Sequence, residues 1–213
     1  STDNTFDDLT ISAGTVTLAT NIVVTNGLII SGGTLAKSTF TLNMTTLTMS
    51  GGDLTSTSGA VVVTGNVSIS AVTSAIDFGS ETWTVSGTWT NASTDAAAWE
   101  AGTGTITFDS ATGGTMTFAG ANLAEAEFNN CTFNSTGGAA QTFTMATRSL
   151  RIGLTLTITD TVSTTTLTTT NLNLQATTVD VLGSGIVLIG TGDFLSVVTF
   201  NIDGSLTMDT IVV

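Results

Sequence analysis

Leu9-Thr10-Ile11-Ser12-Ala13-Gly14-Thr15-Val16 returns as Leu28-Ile29-Ile30-Ser31-Gly32-Gly33-Thr34-Leu35, and again as Leu47-Thr48-Met49-Ser50-Gly51-Gly52-Asp53-Leu54. The offset from Leu9 to Leu28 is the same as that from Leu28 to Leu47. A looser fourth copy opens at Val67-Ser68-Ile69-Ser70. A second apolar segment keeps step between the copies as Ile22-Val23-Val24, Leu42-Asn43-Met44 and Val61-Val62-Val63. A fixed period of this short length marks a solenoid: one turn cannot bury its own apolar side chains and stacks on the next to do so.

Apolar and polar residues alternate within the segments, as in Thr82-Trp83-Thr84-Val85, Thr105-Ile106-Thr107-Phe108 and Thr155-Leu156-Thr157-Ile158. Period two with many β-branched residues makes half-buried strands. Gly-Gly and Ser-Gly pairs supply corners with positive φ, and Asn and Asp close turns through their own backbones. The sequence therefore predicts an all-β chain, a parallel β-solenoid (β-helix) with about 19–20 residues per turn, forming one domain over residues 1–213. About ten or eleven such turns, stacked at a strand spacing of about 4.8 Å, would make a rod roughly 50 Å long. Tandem β-sandwiches are the competing fold; they accommodate the strands but not the constant offset. A longer repeat aligns Phe6-Asp7-Asp8-Leu9-Thr10-Ile11 with Phe128-Asn129-Asn130-Cys131-Thr132-Phe133 at an offset of 122, which divides the chain at about 1–122 and 123–213. Two Ala-rich stretches, Asp95 to Ala101 and Ala121 to Glu127, read as single helical turns or loop excursions.

Composition narrows the function. The 213 residues hold 49 Thr and 23 Gly but no Pro, His or Tyr, and only 3 Lys plus Arg against 16 Asp plus Glu. A net charge of -13 offers nothing to neutralise phosphates, which argues against a nucleic-acid partner. A mean hydropathy of +0.43 argues against disorder. No apolar run is long enough for a membrane-spanning helix. A start at Ser1-Thr2-Asp3-Asn4 without an initiator Met is what a mature secreted chain, or a slice of a larger one, would show.

The lack of His excludes a His-based triad and leaves one Cys, so zinc and Cys-His chemistry are excluded too. Any catalysis would rest on carboxylate pairs such as Asp7 with Asp8 or Glu125 with Glu127, placed as acid and base about a sugar. Acids at turns are more often simply solvated, and the expectation is that the chain is not an enzyme. Calcium is the metal to weigh, since Asp53, Asp193 and Asp203 lie near turns and hard cations take carboxylate and carbonyl oxygens; no tandem Gly-Gly-x-Gly-x-Asp motif supports it. Cys131 reads as a core residue. Regular Thr-x-Thr strands could order water as an ice-binding face does, but the outward series Thr10, Ile29, Thr48, Ser68 interrupts the rule.

Gly87-Thr88-Trp89-Thr90-Asn91, then Ala101-Gly102-Thr103-Gly104-Thr105-Ile106-Thr107-Phe108, then Phe128-Asn129-Asn130-Cys131-Thr132-Phe133 resemble a module of large secreted bacterial and archaeal β-strand-repeat proteins, adhesin-like surface proteins. The resemblance covers most of the chain. It implies a β-solenoid fold and a secreted, extracellular or cell-surface location, and it carries over no catalytic residues. Cys131 departs from the pattern, where Leu is usual.

Segments apolar on both faces point to partners. If Ile22 and Val24 face inward, Val23 and Val62 face outward, two turns apart on one side, and bare apolar patches mark interfaces. Solenoid ends are unpaired strand edges, normally blunted by Pro or Lys; here Pro is absent and Lys occurs once, at Lys37. The expectation is a structural protein that self-assembles into a filament, sheath or surface layer, copies joining head to tail or laterally. Its contacts would be Phe6, Leu9 and Ile11 at one end, Leu206, Met208, Ile211, Val212 and Val213 at the other, and Val23 and Val62 on the flank. A stalk or passenger segment of an adhesin that binds a glycan or another cell is the alternative; an ice-binding or polysaccharide-active β-helix is the third.

Overall fold

The computed structural model describes residues 4–71, 73–93, 99–118, 127–147, 149–169, 172–190 and 195–208. Over these residues every regular element is a β-strand, and neighbouring strands pair in parallel. The chain is a parallel β-solenoid. Sandwiches are ruled out, because their sheets are built from antiparallel neighbours.

Each turn lays strands on up to three faces. Among the described residues the first face holds ten rungs: Asn4–Phe6, the starts of Ile22–Ile30 and Leu42–Met49, Ala60–Val63, Thr82–Val85, Thr105–Phe108, Phe128–Ser135, Leu150–Asp160, Thr178–Val181 and Thr199–Ile202. The second face runs beside it from Leu9–Ile11 to Ser205–Met208. The third begins as Thr15–Thr17, Thr34–Ser38, Asp53–Ser56 and Ala75–Asp77, and resumes where Leu150 pairs with Leu174 and Leu174 with Leu195.

The period is constant only near the N-terminus. Leu9, Leu28, Leu47 and Val67 stack at steps of 19, 19 and 20 along the chain, as the repeat requires. The next partners are Trp89, Met116 and Met145, at steps of 22, 27 and 29. Toward the C-terminus the step returns to 20 between Leu167 and Val187 and 19 between Val187 and Leu206. The uniform turn therefore holds at both ends and fails in the middle, and the coil closes fewer full turns than a uniform period predicts. The strands aligned by the 122-residue offset occupy different faces: Leu9 and Ile11 lie on the second, Cys131 and Phe133 on the first. The Ala-rich stretches lie mostly outside the described residues; of them, Trp99 and Glu127 are buried.

The narrow turns owe their constancy to a column of glycines at one corner. Gly14, Gly33 and Gly52 have φ of 69°, 72° and 69°, a region that side chains avoid. A Cβ on Gly33 would sit 2.3 Å from the Gly14 carbonyl oxygen, and one on Gly52 2.2 Å from that of Gly33. Backbones can approach this closely only without side chains, and the corner is then clamped by Thr34 N–H donating to Gly14 O and Asp53 N–H to Gly33 O.

Inward positions form columns along the axis. In the narrow turns they are mostly aliphatic, as in Ile22, Leu42 and Val61 in one and Leu35 and Leu54 in another. In the longer turns the core is largely aromatic: Phe78, Trp83, Trp89, Trp99, Phe108, Phe128, Phe133 and Phe143 are all buried. Their rings meet edge-on or tilted at centroid distances of 5.1 to 6.5 Å, apart from the stacked pair Phe108 and Phe133, the range in which aromatic contacts add to simple burial.

Candidate functional site

The terminal rungs show where the core columns run out. Phe6 occupies the inward position that pairs with Val24, and Val16 the one that pairs with Leu35, yet each is 40% exposed. At the other end Phe200 and Ile202 continue the buried Val179 and Val181 and are 41% and 47% exposed, with Val198 beside them at 83%. Among the described residues Asn4–Phe6, Leu9–Ile11 and Thr15–Thr17 pair on one side only, as do Thr199–Ile202 and Ser205–Met208. Among the described residues the first and last rungs thus carry strands paired on one side and apolar side chains left exposed.

This places the residues expected at an interface. Phe6 is exposed, Leu9 half-buried, and Ile11 buried on Ile30. Leu206 is half-buried; Ile211, Val212 and Val213 lie outside the described residues, and Met208 is placed only by its backbone, on Ile189. Val23 and Val62 do face outward in one column of the first face, but Asn43 stands between them and breaks the apolar stripe. Val16, Val198, Phe200 and Ile202, exposed at the terminal rungs, are not among the contacts expected from the sequence. Their signal was the alternation itself: Phe200 and Ile202 repeat the inward pattern of Val179 and Val181 one turn on.

The acids stitch turns together. Asp7 accepts from Asn26 Nδ2 at 2.9 Å and Thr25 Oγ1 at 3.1 Å, and Asp8 from the Gly27 N–H at 3.1 Å, each across one turn. Asp53 accepts from the Ala75 N–H at 3.2 Å, Asp160 from Ser184 N–H at 2.9 Å, and Asp180 from Asn201 Nδ2 at 2.6 Å. Glu127 is buried and accepts from Asn91 Nδ2 at 2.6 Å, while Glu125 lies outside the described residues, so the two are not shown as an acid–base pair. Asp203 is exposed, its N–H donating to Val181 O; Asp193 lies outside the described residues. Among the described residues no three metal-binding side chains gather. A cleft of about 300 Å³ beside Asp203, lined by Thr164, Ser184 and Ser205, carries no aromatic platform for a sugar. Cys131 is fully buried between Ile106 and Leu156, and desolvation pushes its thiol well above the usual range.

Two outward columns of the first face are largely threonine. One runs Thr84, Thr107, Thr132, Thr157, and beside it run Thr82, Thr105, Asn130, Thr155, Thr178 and Thr199. On the second face Thr10, Ile29, Thr48 and Ser68 share a column, as the constant offset requires.

A buried charge cluster completes the set. Lys37 and Glu81 are fully buried, with Nζ 2.9 Å from Oε2. Lys37 Nζ also donates to Phe40 O at 2.7 Å and Ser58 O at 2.6 Å. Ser56 Oγ donates to Glu81 Oε2 and Trp83 Nε1 to Glu81 Oε1. Burial raises the Glu81 carboxyl above its ordinary range, against the lowering effect of Ser56, Lys37 and Trp83. The signal was local: alternation from Leu35 puts Lys37 on the inward side of Thr34–Ser38. Comparison of the chain with family models, curated proteins and solved structures gives no match.

Proposed function

We propose that this chain is a structural element of an extracellular surface, assembling end to end into a filament, sheath or layer. The observation that carries the reading is the exposure of core-column residues at both terminal rungs, Phe6 and Val16 at one and Phe200 and Ile202 at the other. Stacking the last rung of one copy on the first of another would bury these side chains and continue the ladder, and such head-to-tail contacts do not close on themselves. Full burial of one large apolar side chain is worth about 1.5–3 kcal/mol, and these are already more than half buried, so the continued strand ladder would have to add to their burial to offset the cost of association. The outward surface, rich in Thr and poor in cations, suits prolonged contact with water.

Negative-stain microscopy and light scattering of the protein test this. Filaments that grow with concentration, and that Phe200→Asp with Ile202→Asp reduces to single rods, are the expected result; monomeric rods at every concentration would remove the reading. A stalk segment of a surface adhesin is the second reading, favoured because a further turn of the same chain would cover the same residues equally well. A longer reading frame with solenoid repeats flanking these residues would decide for the stalk.

A further inference from the structure

We propose that Lys37 and Glu81 become joined by an amide bond, a covalent staple between turns of the solenoid. The one-lysine composition makes the placement telling: the side chain is fully buried, and its nitrogen lies 2.9 Å from a carboxylate oxygen. The residues come from segments well apart in sequence. Lys37 lies in Thr34–Ser38, Ser56 in Asp53–Ser56 one turn on, and Glu81 precedes Thr82–Val85 a further turn on. The pair therefore ties a turn to its second neighbour.

The surroundings suit condensation. Burying two charges carries a desolvation penalty that a neutral amide of similar shape would not. The fold has already met the entropic cost of bringing nitrogen and carbonyl carbon together, which in well-oriented systems accounts for much of a barrier. Trp83 Nε1 donates to Oε1, the oxygen that would carry negative charge in a tetrahedral intermediate, and Ser56 Oγ to Oε2, the oxygen that would leave. Burial also favours the protonated carboxyl of Glu81, the electrophilic form.

The step balances without an oxidant or co-reactant. A proton passes from the Lys37 ammonium to Oε2, giving amine and carboxylic acid. The Nζ lone pair attacks Cδ, forming the C–N bond while the C–Oε1 π pair moves onto Oε1. As Oε1 re-forms the carbonyl, the C–Oε2 bond breaks, and Oε2 takes a second proton from Nζ and departs as water. The net change is ammonium plus carboxylate to secondary amide plus one water.

Intact-mass spectrometry of the denatured full chain reads this directly. The expected result is a mass one water below that of the sequence, with a branched peptide joining the segments around Lys37 and Glu81 after proteolysis. Lys37→Arg keeps the charge without an acylable amine of the same reach and should restore the sequence mass; Glu81→Ala should do the same. A wild-type chain at full sequence mass after prolonged incubation in the folded state overturns the proposal. So does a one-water deficit that persists in Lys37→Arg. The wild-type mass decides the matter even if a variant fails to fold.

Discussion

The narrow turns near the N-terminus and the wide turns in the middle solve one packing problem in two ways. From Leu9 to Ile69 the step between stacked partners is nearly constant, the corner is a glycine column, and the core is mostly aliphatic. From Trp83 to Met145 the step rises to as much as 29 and the core becomes aromatic. Both sections take polar groups inside: Lys37 and Ser56 in the narrow one, and in the wide one Asn91, which occupies the inward column that continues from Ile69 and binds Glu127, while Trp89 Nε1 has no hydrogen-bond partner among the described residues. What separates the sections is therefore side-chain size, mostly aliphatic in the narrow turns and aromatic in the wide ones, with buried hydrogen bonds in both.

Substitutions can break this contrast. The largest effect is expected for Trp89→Ala, which empties a space shared with Trp83, Phe78, Phe108 and Phe128; the loss should be about 4 kcal/mol by denaturant unfolding. Since Trp83, Trp89 and Trp99 all lie in the wide section, tryptophan fluorescence reports that section, while hydrogen exchange reports both. Leu47→Ala, in the same inward column two rungs before Trp89, should cost about 3 kcal/mol and loosen exchange most strongly in its neighbouring narrow turns, because solenoid stability is a sum over nearest neighbours. Equal loosening throughout would show that the two sections unfold as one unit. Gly52→Ala should cost about 2 kcal/mol through positive φ and contact with the Gly33 carbonyl, whereas Gly138→Ala, with nothing within 4 Å of the added carbon, should be neutral in the same unfolding assay. Smallest in energy is the Cys131 thiol. Held neutral by burial, it should resist a thiol reagent at mildly alkaline pH in the native state and react fully on denaturation; rapid native labelling would mean that the wide section opens readily.

The same contrast explains what was legible beforehand. Where the turn length is fixed, a constant offset reveals the repeat, the strands and the glycine corner together, as at Ser31-Gly32-Gly33 and Ser50-Gly51-Gly52. Where extra residues enter between rungs, alternation still gives the strands but not their partners. Phe128-Asn129-Asn130-Cys131 could thus align with Phe6-Asp7-Asp8-Leu9 although its strand runs on another face, since alternation is blind to which face a strand occupies. Of the candidate contacts, Phe6 was readable from its place before the first repeat, but Phe200 and Ile202 needed the register with Val179 and Val181. Lys37 was hidden by its type, since charged residues are rarely assigned to a core.

The parallel rungs lie across the axis of the coil, and this governs how it would yield to tension. Force applied between the two ends loads the hydrogen bonds of one rung at a time, so chain should peel off by whole turns rather than by shearing of the entire sheet. A released narrow turn, such as that from Leu9 to Leu28, would add roughly 60–70 Å of contour length, and longer turns proportionately more. Single-molecule pulling would record extension steps graded in length along the chain, with the length between residues 37 and 81 withheld if a covalent tie joins Lys37 to Glu81.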